Sequence, residues 1–175
     1  MSDQHLPAQI APFKLARQGQ VLQGTLKVKG MERLVQALCS DEAEIAVELH
    51  FDRDEQGVYF ARGHLSADVQ MICQRCMKPM SVPVQADVSL GFVVTSEQAD
   101  KLSDRYEPCI IAEEPVSLAM IVEDELMLAI PIVALHADQS CEPVLDKLRQ
   151  EAQEIKQKEE KSNPFAVLSQ LKRPE

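Results

Sequence analysis

Hydrophobic and polar positions alternate through the first half of the chain, and the alternation predicts strands. At 22–28, LQGTLKV, Leu22, Gly24, Leu26 and Val28 share one side while Gln23, Thr25 and Lys27 take the other, the period of a half-buried strand. A short helical stretch, MERLVQAL, follows at 31–38. In AEIAVELHF at 43–51, Ala43, Ile45, Val47, Leu49 and Phe51 point one way and Glu44, Glu48 and His50 the other, and DRDEQG at 52–57 reads as a hairpin turn. A long strand then sets Tyr59, Ala61, Leu65, Ala67, Val69 and Met71 against Arg62, His64, Ser66, Asp68 and Gln70, and runs straight into Cys73. After Pro79 the phase restarts, with Val82, Val84, Ala86, Val88, Leu90, Phe92 and Val94 opposing Ser81, Gln85, Asp87 and Ser89. The segment CQRC at 73–76 therefore belongs at the tip of a long antiparallel hairpin. Pro83 has no N–H for a ladder, which predicts an edge strand or a bulge at that point.

The period changes further along. TSEQADKLSD is polar, a loop or short helix, and RYEPCIIA at 105–112 can add one more strand. PVSLAMIVEDELMLAI at 115–130 places Leu118, Ile121, Val122, Leu126 and Ala129 at helical spacing, with Pro115 at the first helical position and Pro131 beyond the end. One buried helix packed on the sheet is the economical reading, and Glu123, Asp124 and Glu125, which could form a metal or acid-base cluster, are read instead as its solvated edge because successive helix positions face different directions. Residues 146–161 are mostly polar with mixed charge, a solvated helix or linker. The last segment, NPFAVLSQLKRPE, regains apolar character: Asn163 caps, Pro164 starts a helical turn, and Phe165, Val167, Leu168 and Leu171 form a partner-docking element, unless they pack back on the body. The prediction is an α+β fold: an antiparallel, partly barrel-like sheet with a long hairpin, one buried helix and a polar, partly helical C-terminal tail. The chain divides into a β-rich body at 1–145, a charged linker or solvated helix at 146–162 and a docking segment at 163–175.

Length and composition narrow the function classes. At 175 residues the chain suits one body with a real core, and with only five Phe and two Tyr that core is aliphatic. Net charge is -10, and because residues 146–175 carry six acids and seven bases, the body holds 22 acids against 11 bases. Such a surface repels phosphates and suits a basic protein partner better than free nucleic acid. No DNA partner is expected. The start MSDQHLPAQIAPF lacks a secretory pattern, and the longest apolar run, LMLAIPIVAL, is about half of the ~20 residues a membrane helix needs. A cytoplasmic protein without a membrane partner is the expectation.

Five cysteines, with Cys39 and Cys109 isolated in apolar patterns, do not make a secreted disulfide framework. Cys73 and Cys76, two residues apart at a hairpin tip, suit the knuckle of a tetrahedral zinc site, but such a site needs four ligands. Cys141 and His136, in LHADQSCEP after the helix, are the candidates to complete it, and His64 is a poorer substitute far down the strand. Two other readings stay open: thiols that only pack as small hydrophobes, and a redox pair, which the strand following Met77-Lys78-Pro79 does not favour. No GxSxG, HExxH or glycine-rich phosphate loop occurs and the four histidines are scattered, so an enzyme is not expected. Arg75 and Lys78 at the tip are weak RNA-contact candidates, without an aromatic platform for bases.

Three stretches together, CQRCMKPM, YEPCIIAEEPVSLAMIVEDELMLAIPIVALH with the later Cys141, and NPFAVLSQLK, carry a resemblance to the bacterial YceD family, linked to accumulation of large-subunit ribosomal RNA. The similarity runs from Phe13 to the end of the chain. It implies a non-enzymatic role in ribosome biogenesis: synthesis, processing or stability of 23S rRNA, with a large-subunit precursor, ribosomal protein or another assembly factor as partner. Direct RNA binding through the CxxC tip, or a zinc-binding structural module, is the alternative. Many members of the family carry a second cysteine pair after the helix, which would complete a four-thiolate zinc site. This chain departs there, keeping Cys141 with His136 upstream.

Overall fold

The computed structural model describes residues 6–112 and 114–137, together with Cys141, Pro143, Val144, Leu148, Arg149 and 152–155. Its elements run β1 (Gln9–Ile10), α1 (Pro12–Arg17), β2 (Val21–Lys27), α2 (Glu32–Ala37), β3 (Glu44–Arg53), β4 (Tyr59–Ile72), β5 (Pro79–Val93), α3 (Ser96–Ala99), β6 (Glu107–Ile110), β7 (Val116–Ser117) and α4 (Leu118–Ala129). β2 to β6 form one five-stranded sheet in sequence order, and β1 pairs with β7 in a separate two-stranded ribbon. No pairing joins β2 to β6 among the described residues, so the sheet is open rather than a closed barrel.

The predicted alternation governs burial. Ile45, Val47, Leu49 and Phe51 of β3 are each at most 2% exposed, and Leu65, Val69, Val84 and Val88 continue the same layer across the hairpin. α1 lies against β3 and β4, α4 against β5, and α2 against α4, so the core sits between one sheet face and the helices. The first turn is closed by Asp54, whose Oδ1 accepts from the backbone N–H of Gln56 at 3.0 Å and of Val58 at 2.8 Å, with Gly57 at φ +88°. Pro83 sits on the half of β5 that β6 does not reach, where a missing N–H breaks no ladder.

Four features depart from the sequence reading. α1 and β1 lie in an N-terminal stretch that shows no strong period. β6 runs parallel to β5, not antiparallel. α4 begins at Leu118 rather than at Pro115: Ser117 caps it, its side chain accepting from Met120 N–H at 3.4 Å, while Val116 and Ser117 are held extended against β1. Finally, residues 123–125 are not a solvated edge. Glu123 and Glu125 are 7% and 9% exposed, and only Asp124 faces water.

Glu123 is buried because it binds another helix. Its Oε1 accepts from the backbone N–H of Arg33 at 2.8 Å and of Leu34 at 3.1 Å, and its Oε2 from Arg33 Nη2 at 3.0 Å. α2 has no side-chain cap of its own. A carboxylate from α4 therefore satisfies N–H groups left open at its start, where negative charge is favourable.

Candidate metal centre

The long hairpin turns between Ile72 and Pro79, and its turn is built to gather sulfur. Cys73 N–H donates to the Lys78 carbonyl at 2.9 Å, Met77 N–H donates to the Cys73 carbonyl at 2.8 Å, and Met77 takes the left-handed conformation at φ +57°. This folds the Cys73 and Cys76 side chains inward, where they are 0% and 7% exposed.

The segment after α4 crosses over this tip. Ala134 is buried and its carbonyl accepts from Gln74 N–H at 2.9 Å, while Val144 N–H donates to the Arg75 carbonyl at 3.0 Å. Two backbone bonds thus clamp the segment on either side of His136 and Cys141. The metal-ligating atoms of Cys73, Cys76, His136 and Cys141 all lie within 4.8 Å of one another. Cys73 Sγ is 4.0 Å from Cys141 Sγ, and Cys76 Sγ is 3.5 Å from His136 Nδ1. Tetrahedral bonds of ~2.3 Å to sulfur and ~2.0–2.1 Å to nitrogen imply edges of about 3.8 Å and 3.5 Å, so three thiols and an imidazole at these separations fit one zinc-sized ion. All four named candidates are brought together, and the cysteines are free rather than disulfide-bonded.

The electrostatics differ between the two tip thiols. Burial opposes ionisation of Cys73, yet the backbone N–H groups of Cys76, His136 and Arg75 and the His136 side chain outweigh it, bringing the thiol down to about 5. Burial and the neighbouring Cys73 and Cys141 raise Cys76. Arg75, read from sequence as an RNA contact, turns inward: its Nε donates to Cys141 Sγ at 2.8 Å and its Nη2 to the His136 carbonyl at 3.5 Å. No sequence signal distinguished that role from an ordinary exposed arginine.

The remaining candidates are dispersed. His64 Nδ1 lies in hydrogen-bond contact with Asp87 Oδ1 at 3.0 Å on the exposed face of the hairpin. Cys39 is exposed, Cys109 is half-buried beside α4 with its thiol pushed up to about 11 by burial and by Asp124 and Glu125, and Lys78 points to solvent. Phe165, Val167, Leu168 and Leu171 lie outside the described residues. No described helix is long and apolar enough to cross a membrane.

The chain that carries this cluster has relatives among known proteins. A sequence model of the family described as "Large ribosomal RNA subunit accumulation protein YceD" matches residues 61–172, which takes in the hairpin, α4 and the C-terminal segment. The chain belongs to the YceD family. A YceD protein of Haemophilus influenzae, of the same description, is 32% identical over 173 residues, covering 95% of this chain and 96% of that relative. No solved structure matches the chain.

Proposed function

We propose that this chain is a non-enzymatic factor in ribosome biogenesis that supports the accumulation of large-subunit 23S rRNA through contacts with a protein partner in the cytoplasm. The observation that carries this reading is its end-to-end similarity to a protein named for large ribosomal RNA subunit accumulation. Net charge of -10 favours a basic protein over bare RNA.

In the same reading Cys73, Cys76, Cys141 and His136 hold a zinc ion. With four protein ligands the site has no open position, so the metal supplies a clasp between the hairpin tip and the segment after α4, not a Lewis acid for substrate. Arg75 stands beside Cys141 as the outer partner that thiolate ligands ordinarily have.

A tagged copy drawn from lysate with and without nuclease tests the partner. Large-subunit proteins that survive nuclease are expected; ribosomal material lost with the RNA would replace protein contact by RNA contact, and none in either sample would sink the ribosomal role.

A further inference from the structure

Between the edge strand β6 and the first half of α4 lies an open groove lined by Glu107, Cys109, Ile110, Met120, Asp124 and Glu125. Part of its wall is apolar and yet wet: Ile110 is 52% and Met120 50% exposed. The rest is acidic. Asp124 is 2.6 Å from Arg33, the cation that Glu123 also holds, so one guanidinium there serves two carboxylates. Glu107 and Glu125 have no hydrogen bond or ion pair among the described residues. Glu125 is only 9% exposed as a residue, and its carboxylate, which still reaches water, lines the groove without a partner among the described residues. Burial, then the charges of Glu107 and Asp124, push its carboxyl above the ordinary range. Among the described residues no ion pair compensates a charge in that position.

The geometry discriminates between cations. Among the described residues, the only group of three or more metal-ligating side chains close enough to share an ion is the thiol–imidazole cluster. The carboxylates of the groove are too far apart for that, and a long-stemmed cation with several donors spans them better than a metal. The backbone offers a complementary row. Among the described residues β6 pairs only with β5, and because Ile111 N–H donates to the Val93 carbonyl, strand alternation turns the backbone N–H and C=O of Ile110 to the open edge.

We propose that this groove receives a basic protein segment, added in extended form beside β6, with an arginine side chain among Glu107, Asp124 and Glu125 and its apolar neighbours on Ile110 and Met120. The inference rests on the reading of the chain as a protein-binding factor and names the surface and side-chain chemistry through which it would bind.

The test uses the full chain with 13C-labelled methionine methyls and two probes, acetyl-Val-Arg-Val-Arg-Val-amide and the same peptide with glutamine in place of arginine. The Met120 methyl, assigned through Met120→Leu, is expected to shift saturably with the arginine peptide and not with the glutamine one. The Glu107→Gln/Glu125→Gln variant, isosteric and without added bulk, is expected to weaken binding by about ten-fold or more. A Met120 methyl that stays still, equal shifts with both peptides, or undiminished binding by the double variant overturns the proposal. Co-purification of large-subunit proteins with the wild type separates the two readings. Peptide binding without ribosomal material leaves the groove standing and removes the ribosomal role; ribosomal material with an unmoved Met120 does the reverse.

Discussion

Two buried side-chain groups do most to tie distant parts of this chain together, and both are testable at single residues. The first is the thiol–imidazole cluster. Protein purified under reducing conditions is expected to carry one zinc per chain by elemental analysis, and Cys76→Ser or His136→Ala to lose it. Because each kcal/mol lost lowers the Tm of a domain this size by about 2–4 °C, we expect chelation to lower the wild-type Tm by at least ~5 °C and to leave Cys76→Ser unmoved. A metal-free protein with an unchanged Tm would return these thiols to plain packing. The second is Glu123. Burial opposes its charge, but Leu34 N–H and the side chain and N–H of Arg33 hold its carboxyl below the usual range. A lowered folded value means that its contribution is complete above the unfolded value of ~4.3 and is lost as pH falls through the folded one. Glu123→Gln is expected to cost about 1.5–3 kcal/mol by urea unfolding at neutral pH, with the gap to wild type closing in acid. The four members of the cluster could be named from the sequence, because cysteine spacing at a hairpin tip has few uses, but that they meet could not be read there, since thiols that only pack look the same. Nor was the role of Glu123 legible, because a run of three acids looks the same whether its members face water or another helix.

The β4–β5 hairpin is the element on which the site depends, and its weakest tolerance is at a glycine. A Cβ at Gly63 would drive into the Glu48 carbonyl and approach Leu49 Cα to 2.9 Å, backbone that cannot swing aside. At Gly91 the nearest atom is the end of the flexible Leu102 side chain at 2.6 Å. Gly63→Ala is therefore expected to cost about 3 kcal/mol or more in urea unfolding and Gly91→Ala distinctly less; equal costs would mean that β4 relaxes around the methyl. The strands and their inward faces were readable because a period of two marks a buried face. The direction of β6 was not, since a four-residue strand carries no sign of which neighbour it joins. The start of α4 moved for a related reason: pairing of Val116–Ser117 with β1 competes with helix at the same residues, and only the fold sets that balance.

On the scale of the molecule, an acidic body presents a clasped hairpin tip in one place and an acidic, partly apolar groove in another. The docking role read for residues 163–175 lies outside the described residues and is checked by deletion. Loss of co-sedimenting large-subunit precursors at unchanged Tm is expected if the segment reaches a partner, and a lower Tm would show that it packs on its own body. Membership of the family could be read from three stretches of sequence, because their order and spacing survive where the second cysteine pair does not.

The sequence by itself determined the strand faces, the long hairpin, the helix that follows it, the four ligand candidates and the family, since periodicity, turn chemistry and motif spacing are properties of the chain. Tertiary structure alone decided that His136 and Cys141 fold back onto the tip, that Arg75 turns inward to Cys141, that Glu123 caps a helix some ninety residues away, and that Glu125 faces a groove. Each of these depends on long-range packing, and a charged or polar side chain has no periodic signature that tells which distant group will satisfy it.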